Sequence, residues 1–449
     1  YLLFNSPSDR FKALVMTSGN LSEEPIVTSN SEAITRLSGI ADFFLLHDRD
    51  IYMRVDDSIV RVEGGRTKTL RRARGFTPVP IAMDEEMDGI FAAGALLKNT
   101  FCLTKGKLAI LSQHIGDLEN EDTLEFYKET LKNLKNTFRA SPRIIAHDMH
   151  PDYISTKFAL EYASEHGVPP ERVVAIQHHH AHIVSAMAEH GLKGKVIGIA
   201  FDGTGYGADG RIWGGEFLIA DRGDFVRKAH LAYIPLPGGD SAVKEPWRMA
   251  LSYLLHAFGD EIPLKGFIER VGEKKARIVL QMIKTGVNSP FTSSMGRLFD
   301  AIASLIGLRD EITFEAEAAI ELENIADPGE KEPYPFDING DEIDSRPLIR
   351  AIVEGLNNGI ERPVIAGRFH HTVAEMALKT ALTLSGESGI KDVVVCGGVF
   401  QNSLLSGIIR ERFESSGFRV WTQEKVPAND GGISLGQAVA AWERVKGEK

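Results

Sequence analysis

The chain has 449 residues, 43% hydrophobic and 25% charged, with a formal net charge of −11 at neutral pH. That length exceeds a single hydrophobic core, so two or three domains are expected. No apolar run reaches the ~18 residues that span a bilayer, and the acidic balance argues against tight, nonspecific binding to nucleic acid, which draws its affinity from Lys and Arg on phosphates.

The cysteines, Cys102 and Cys396, cannot build a disulfide framework or a four-thiolate zinc site and fit a reducing, cytoplasmic location. The first residue is Tyr1, and no basic-then-apolar leader opens the chain; the expectation is a piece of a longer cytoplasmic protein.

In chain order, residues 1–85 read as short strands and turns that close on the basic stretch Leu70-Arg71-Arg72-Ala73-Arg74-Gly75-Phe76. The acidic run from Met83 to Asp88 reads as a solvated linker. Strands and helices then alternate over residues 89–195. Gly89 to Ile110 reads as strand, turn at Lys98-Asn99, strand, turn at Lys105-Gly106-Lys107, strand. Glu121 to Phe138 predicts an amphipathic helix with Leu124, Tyr127, Leu131, Leu134 and Phe138 on its buried stripe. Arg143 to Ala146 and Arg172 to Ile176 predict buried strands with a helix between them.

Residues 196–449 form a second block, opened by the apolar strand Val196 to Phe201 and helix-rich over residues 243–325. Asp202-Gly203-Thr204-Gly205 and Asp209-Gly210 read as turns ahead of the strand after Trp213-Gly214-Gly215. Val393-Val394-Val395 predicts a buried strand running into Gly397-Gly398 and a helix start. Singly, each glycine-rich turn is more often only a turn. Together, two hairpins opening two lobes and a strand–glycine–helix junction point to a two-lobed ATP-binding fold of the actin/sugar-kinase type, with backbone N–H groups facing phosphates. No G-x-G-x-x-G follows a strand, which argues against a Rossmann domain.

His178-His179-His180-Ala181-His182 follows the apolar run Val173 to Ile176 and opens a helical pattern. His178 and His182, four apart, share a helix face and can hold one metal ion. The positive end of the helix dipole is expected to keep both rings neutral. A lone histidine there is more often a polar helix start; four in five residues after a buried strand favour a metal. Asp202 and Asp430, each before a glycine at an expected strand end, are the carboxylate candidates. Two imidazoles with carboxylates suit Fe(II), Zn or Mn.

Gln177 to His182, Phe201-Asp202-Gly203-Thr204-Gly205, Cys396-Gly397-Gly398-Val399-Phe400-Gln401-Asn402 and Asn429-Asp430-Gly431-Gly432 together resemble the HypF carbamoyltransferase family of nickel–iron hydrogenase maturation. His147-Asp148-Met149-His150-Pro151-Asp152-Tyr153 and Thr292 to Asp300 match in the same style. The resemblance implies an actin/sugar-kinase-like (ASKHA) two-lobed, TsaD-like domain preceded by a partial YrdC-like α/β domain. Thr17-Ser18-Gly19-Asn20, His47-Asp48-Arg49-Asp50 and Arg54 to Ser58 carry the YrdC-like part.

The resemblance further implies substrates and partners. The full-length protein would take carbamoyl phosphate and ATP, form a carbamoyl-adenylate, and pass the carbamoyl group to the C-terminal cysteine thiolate of HypE. His178, His182, Asp202 and Asp430 would hold a divalent metal, Fe or Zn. Lys98, Asn99, Gly203, Thr204, Gly397, Gly398 and Asn402 would face nucleotide phosphates or adenosine, and Asp300 and Glu317 would hold the ribose. The family's acylphosphatase-like domain, its cysteine-rich zinc region and the front of its YrdC-like domain have no counterpart in the sequence, so the transfer half of the reaction is what this chain is expected to keep.

Two alternatives stay open. One is a TsaD-like tRNA threonylcarbamoyl transferase, which the acidic balance weighs against. The other is a non-catalytic ATP-binding scaffold, which the histidine cluster weighs against.

Overall fold

The computed structural model describes residues 4, 12–21 and 24–446. Its first sheet is a ribbon of β1 (Ile59–Glu63) and β2 (Arg66–Arg71), paired antiparallel. Gly64 and Gly65 turn it with φ of 56° and 74°, values that only glycine adopts freely at both places in a two-residue turn.

A six-stranded sheet follows: β3 (Ile81–Ala82), β4 (Ile90–Ala92), β5 (Cys102–Lys105), β6 (Leu108–Leu111), β7 (Ile144–Asp148) and β8 (Val173–Ile176), ordered β3-β6-β5-β4-β7-β8. β4, β7 and β8 run parallel, and β5 and β6 form the expected hairpin. The helix Glu121–Phe138 covers this sheet. Its stripe is turned slightly from the expected one: Phe126 is buried with Tyr127, Leu131 and Leu134, while Leu124 and Phe138 lie half-buried.

The third sheet holds β9 (Val196–Tyr206), β10 (Ile212–Ala220), β11 (Phe225–Leu231), β12 (Ile234–Pro235), β13 (Phe291–Thr292), β14 (Asp337–Asn339), β15 (Glu342–Asp344), β16 (Asp392–Cys396) and β17 (Arg419–Trp421). The main order is β14-β15-β11-β10-β9-β16-β17. Helices of residues 240–325 pack with the 27-residue helix Arg362–Ser388 on one side of it, in the largest core.

Three expectations change. Asp202-Gly203-Thr204-Gly205 is not a turn: it lies inside the eleven-residue β9, and the chain reverses at Gly207–Arg211 instead. Asp202 is therefore within a strand, not at its end. The Met83–Asp88 run is not a solvated linker: Met83 and Met87 are buried, Asp84 pairs with Arg222 at 3.0 Å and Lys193 at 2.9 Å, and Glu85 pairs with Lys446 at 2.9 Å. Burying two methionines fixes the segment, and the charges find partners at its rim. The C-terminal helix Ile433–Lys446, assigned by sequence to the second block, packs on the six-stranded sheet. Ile433, Leu435, Ala438 and Val439 share a core with Ile90, Ala92 and Ile144, and the Gln437 amide bonds both the N–H and the C=O of Gly94.

The C-terminal helix lies against the helix His178–Glu189, and both sit between the sheets. A Cβ on Gly436 would collide with Ala181 O, so glycine is needed for this approach. The histidine helix buries Ala181 and Val184 toward the six-stranded sheet and Ile183 and Met187 toward the nine-stranded one, which fixes its rotation. Among the described residues, no helix is long and apolar enough to cross a membrane.

Candidate metal centre and the cleft around it

The histidine helix begins where β8 ends. Gln177 caps it: Oε1 accepts from His180 N at 2.9 Å, and Nε2 donates to Tyr206 O at 3.0 Å. The histidines then diverge. His180 Nε2 meets Asp221 O at 2.8 Å, and His179 Nδ1 meets the Gln177 amide at 3.1 Å. His178 and His182, one turn apart, face the same point.

Asp202 from β9 and Asp430 from the turn before the C-terminal helix complete that point. His182 Nε2 lies 3.0 Å from Asp202 Oδ2 and 3.6 Å from Asp430 Oδ1. His178 Nε2 lies 3.5 and 3.6 Å from the same two oxygens. The four ligand atoms fall within 4.8 Å of one another. His178 Nδ1 is 2.8 Å from Asp148 Oδ2. A carboxylate there accepts a hydrogen bond from Nδ1–H, which keeps the ring proton on Nδ1 and leaves the Nε2 lone pair aimed at the cluster. That Nε2 is buried and has no hydrogen-bond partner. A buried, unpaired lone pair among two carboxylate oxygens is the donor set a divalent cation takes. The residues fit the metal the resemblance implies.

The electrostatics differ from the expectation of neutral rings. Burial pushes the pKa of His178 down, but Asp430 and Asp148 outweigh it and raise it well above the usual value. His182 is likewise raised, against its burial, by Asp202 and Asp430. Two carboxylates at contact distance outweigh a helix dipole of half a charge. In return, and against its own burial, Asp430 is held down at about 2 by His178 and His182. The cluster is a cavity for positive charge. Protons supply it without a metal, and a cation would displace them.

Asp148, at the end of β7, was not singled out as a site residue by the sequence. The available signal was an aspartate ending a buried strand inside the His147-to-Tyr153 motif. Its other oxygen, Oδ1, accepts from His150 N at 2.9 Å. The His150 ring in turn stacks on Tyr153 with centroids 4.1 Å apart. Gly205 is also required here. A Cβ would stand 2.5 Å from His179 Cε1 and 2.7 Å from His178 Cδ2.

The remaining candidates divide. Gly398 N donates to Asp202 Oδ1 at 3.1 Å, and Gly203 N donates to the same atom at 2.8 Å. Gly397 has φ of 97° and sits against Phe201. Thr204 lies half-buried beside them. Lys98, with φ of 45°, reaches across the cleft to pair with Glu315. Asn99, in contrast, is buried and gives its amide to Ala93 O at 3.0 Å and Ala95 O at 2.5 Å. Asn402 caps the helix Ser403–Ser415 through Leu405 N at 2.8 Å, and its Nδ2 meets His370 Nε2 at 2.9 Å. Asp300 is buried against Arg297 at 2.9 Å. Glu317 accepts from Thr313 N at 2.6 Å and pairs with Arg309 at 3.3 Å.

A cavity of about 500 Å³ opens between the N-terminal segment and the two-lobed domain. Arg71, Arg72, Lys98 and His114 line it with Asp56 and Asp117, and so do Asn429 and Gly431, either side of Asp430 in the chain. Gln401 and Asn429 join the two glycine-bearing turns there at 3.0 Å.

A two-lobed ASKHA domain with a histidine–carboxylate cluster in its cleft, preceded by a YrdC-like segment, is the class that fold and site define. Family models agree with it. Residues 198–437 match the carbamoyltransferase Kae1-like domain, second subdomain, residues 85–189 the HypF Kae1-like domain, and residues 3–73 the Sua5/YciO/YrdC domain described as telomere recombination. The chain is 40% identical to carbamoyltransferase HypF2 of Cupriavidus necator over 99% of its own length, and 36% identical to a carbamoyltransferase HypF homolog of the same organism over 78% of its length and 91% of that protein's. A crystal structure of full-length HypF in the phosphate- and nucleotide-bound form superposes with a TM-score of 0.90 at 45% identity, covering 95% of this chain and 67% of that one. The chain belongs to the HypF carbamoyltransferase family. It spans 59% of the length of the C. necator HypF2 protein.

Proposed function

We propose that this chain performs metal-assisted carbamoyl transfer from a carbamoyl-adenylate to the C-terminal cysteine thiolate of HypE, the adenylate deriving from carbamoyl phosphate and ATP. The observation that carries the reading is the buried histidine–aspartate cluster of His178, His182, Asp202 and Asp430, whose Asp430 lies in the chain between Asn429 and Gly431 of a cavity that Arg71, Arg72 and Lys98 also line. In the transfer, the thiolate sulfur bonds to the carbamoyl carbon, the bond from that carbon to the adenylate phosphate oxygen breaks, and AMP leaves with the electron pair. The thiol proton has gone to solvent beforehand, so no Ser-His-Asp set is needed.

His178, His182, Asp202 and Asp430 would hold the divalent metal, Fe or Zn. Bound there, the metal would polarise the carbamoyl carbonyl and stabilise charge developing on oxygen. The chain's own residues do the rest. Arg71, Arg72 and Lys98 attract and orient the phosphate, and the lobes exclude the water that would hydrolyse the adenylate.

The test is elemental analysis of the purified chain, followed by incubation with carbamoyl-adenylate and HypE and mass spectrometry of the HypE C-terminus. Bound metal and a carbamoylated cysteine are expected. Transfer unaffected by stripping the metal, or capture of tRNA in place of HypE, would overturn the proposal.

A further inference from the structure

Glu216, on β10, is wholly buried and belongs to no group described above. Its surroundings explain why a carboxylate is there. β9 and β10 pair in register up to Gly205 with Trp213, and again from Phe201 with Gly215. Between those pairs β10 has one residue, Gly214, and β9 has three, Asp202, Gly203 and Thr204. Unequal counts lift the longer strand off the ladder. Buried N–H groups that lose their cross-strand partners must then be paired elsewhere.

Glu216 pairs them. The N–H groups of Gly214 and Gly215 both donate to its Oε1, at 3.1 and 3.2 Å, and Ser293 Oγ donates to the same atom. Its Oε2 accepts from Arg227 Nε at 2.6 Å. That guanidinium lies 4.1 Å above the Trp213 ring and makes a buried carboxylate tolerable. On the other side of the arch, Ser294 Oγ is 3.0 Å from Asp202 O. Gly214 itself must be glycine, since a Cβ would stand 2.7 Å from Asp202 O.

We infer that Glu216 is a positioning residue for the transfer site: its carboxylate stands in for the missing strand partner, holds the β9 arch open, and so sets Asp202 within reach of His178 and His182. Without an acceptor at this place, the two strands relieve their unpaired amides by sliding toward ordinary register, which draws Asp202 into the ladder. The inference rests on the metal reading of the cluster.

Two conservative variants separate this role from that of a buried ion pair. Glu216→Gln keeps the shape and an oxygen for the glycine amides but loses the charge beside Arg227. Glu216→Asp keeps the charge but withdraws the oxygens by one methylene. The full chain is titrated with Co²⁺ and followed by visible absorption, with circular dichroism to check folding. The expected dissociation constant is within about threefold of the parent for Gln and at least about tenfold weaker for Asp.

Exchange of the Gly214 and Gly215 amides is expected to accelerate in the Asp variant only. Leu218→Ala, a core change on the same strand, is expected to lower stability and leave Co²⁺ affinity intact. An ion-pair role alone predicts the reverse order, and Asp binding as tightly as Gln, with unchanged amide exchange, overturns the inference. A parent chain that takes up no Co²⁺ overturns the metal reading instead, while amide exchange still tests the arch.

Discussion

The histidine–aspartate cluster and the residues that the sequence assigns to a nucleotide are built on opposite terms. The cluster gathers one side-chain atom each from His178, His182, Asp202 and Asp430, and leaves His178 Nε2 buried without a partner. Asn402 and Glu317 spend their polar atoms inside the fold, on a helix cap and a neighbouring turn. A satisfied polar side chain contributes geometry, whereas one left unsatisfied in a buried site contributes chemistry, because desolvation has already been incurred and only a ligand can repay it. Substitutions on the two sides should therefore fail differently.

The largest effect is expected on the cluster. His178→Ala removes a ligand and leaves the helix intact, so metal retained through gel filtration should fall from stoichiometric to trace, with unchanged far-UV circular dichroism; stoichiometric metal in the variant refutes the assignment. Asp148→Asn is the next test. An amide can offer an N–H to His178 Nδ1, which forces the ring proton onto Nε2, facing the cluster. Metal affinity is expected to drop by about 10- to 100-fold, the range for such orienting partners. An Asn variant with parental affinity would mean that Asp148 only packs.

The side-chain half of the cluster was legible in the sequence, and the backbone half was not. The histidine spacing named a helix face directly, because four residues is close to one turn. Asp202 and Asp430 were found through their glycines, yet the reason given for Asp202 was wrong. An Asp-Gly-Thr-Gly run has turn composition, and only the pairing of β9 with β10 shows that the glycines admit the histidine helix and an arch within a strand. The acidic run at Met83 misled for a related reason: local charge reads as solvent, while two flanking methionines decide the burial. The C-terminal helix was assigned by sequence proximity, but its apolar face belongs to a sheet more than 250 residues earlier, a pairing that no local pattern carries. Asp148 failed to stand out because its role is defined by a ring that arrives 30 residues later.

On the nucleotide side, Lys98→Ala and Asn402→Ala sharpen the contrast. Lys98 lines the cavity and its ammonium is paired with Glu315, a partner that a phosphate would replace; losing a bond from it to a phosphate would cost about 1.5–3 kcal/mol, so ATP affinity by calorimetry should fall at least about tenfold while stability changes little. Asn402→Ala removes a helix cap. Its expected cost is about 1 kcal/mol of stability with little change in ATP affinity. The opposite assignment of the two losses would place Asn402 on the ligand and Lys98 in the scaffold.

An effect confined to acid pH sits behind Asn402. His370 is fully buried. Its Nδ1 meets Ala366 O at 2.7 Å, and its Nε2 accepts from the Asn402 amide. Burial holds its pKa down at about 4, although the bond to Ala366 O favours the charged ring. An unfolded histidine titrates near ~6.5. Above that value neither state carries the proton and the stability is complete. As pH falls from ~6.5 to about 4, only the unfolded chain takes it up, and stability is lost at up to about 1.4 kcal/mol per pH unit.

Between pH 7 and 5 that amounts to roughly 2 kcal/mol, read from urea unfolding of the metal-free chain. His370→Gln keeps a group able to face Asn402 and cannot titrate. It should start less stable at pH 7 and lose about 2 kcal/mol less on going to pH 5. Equal losses in parent and variant would show that folding leaves the His370 pKa unshifted, which overturns the burial effect.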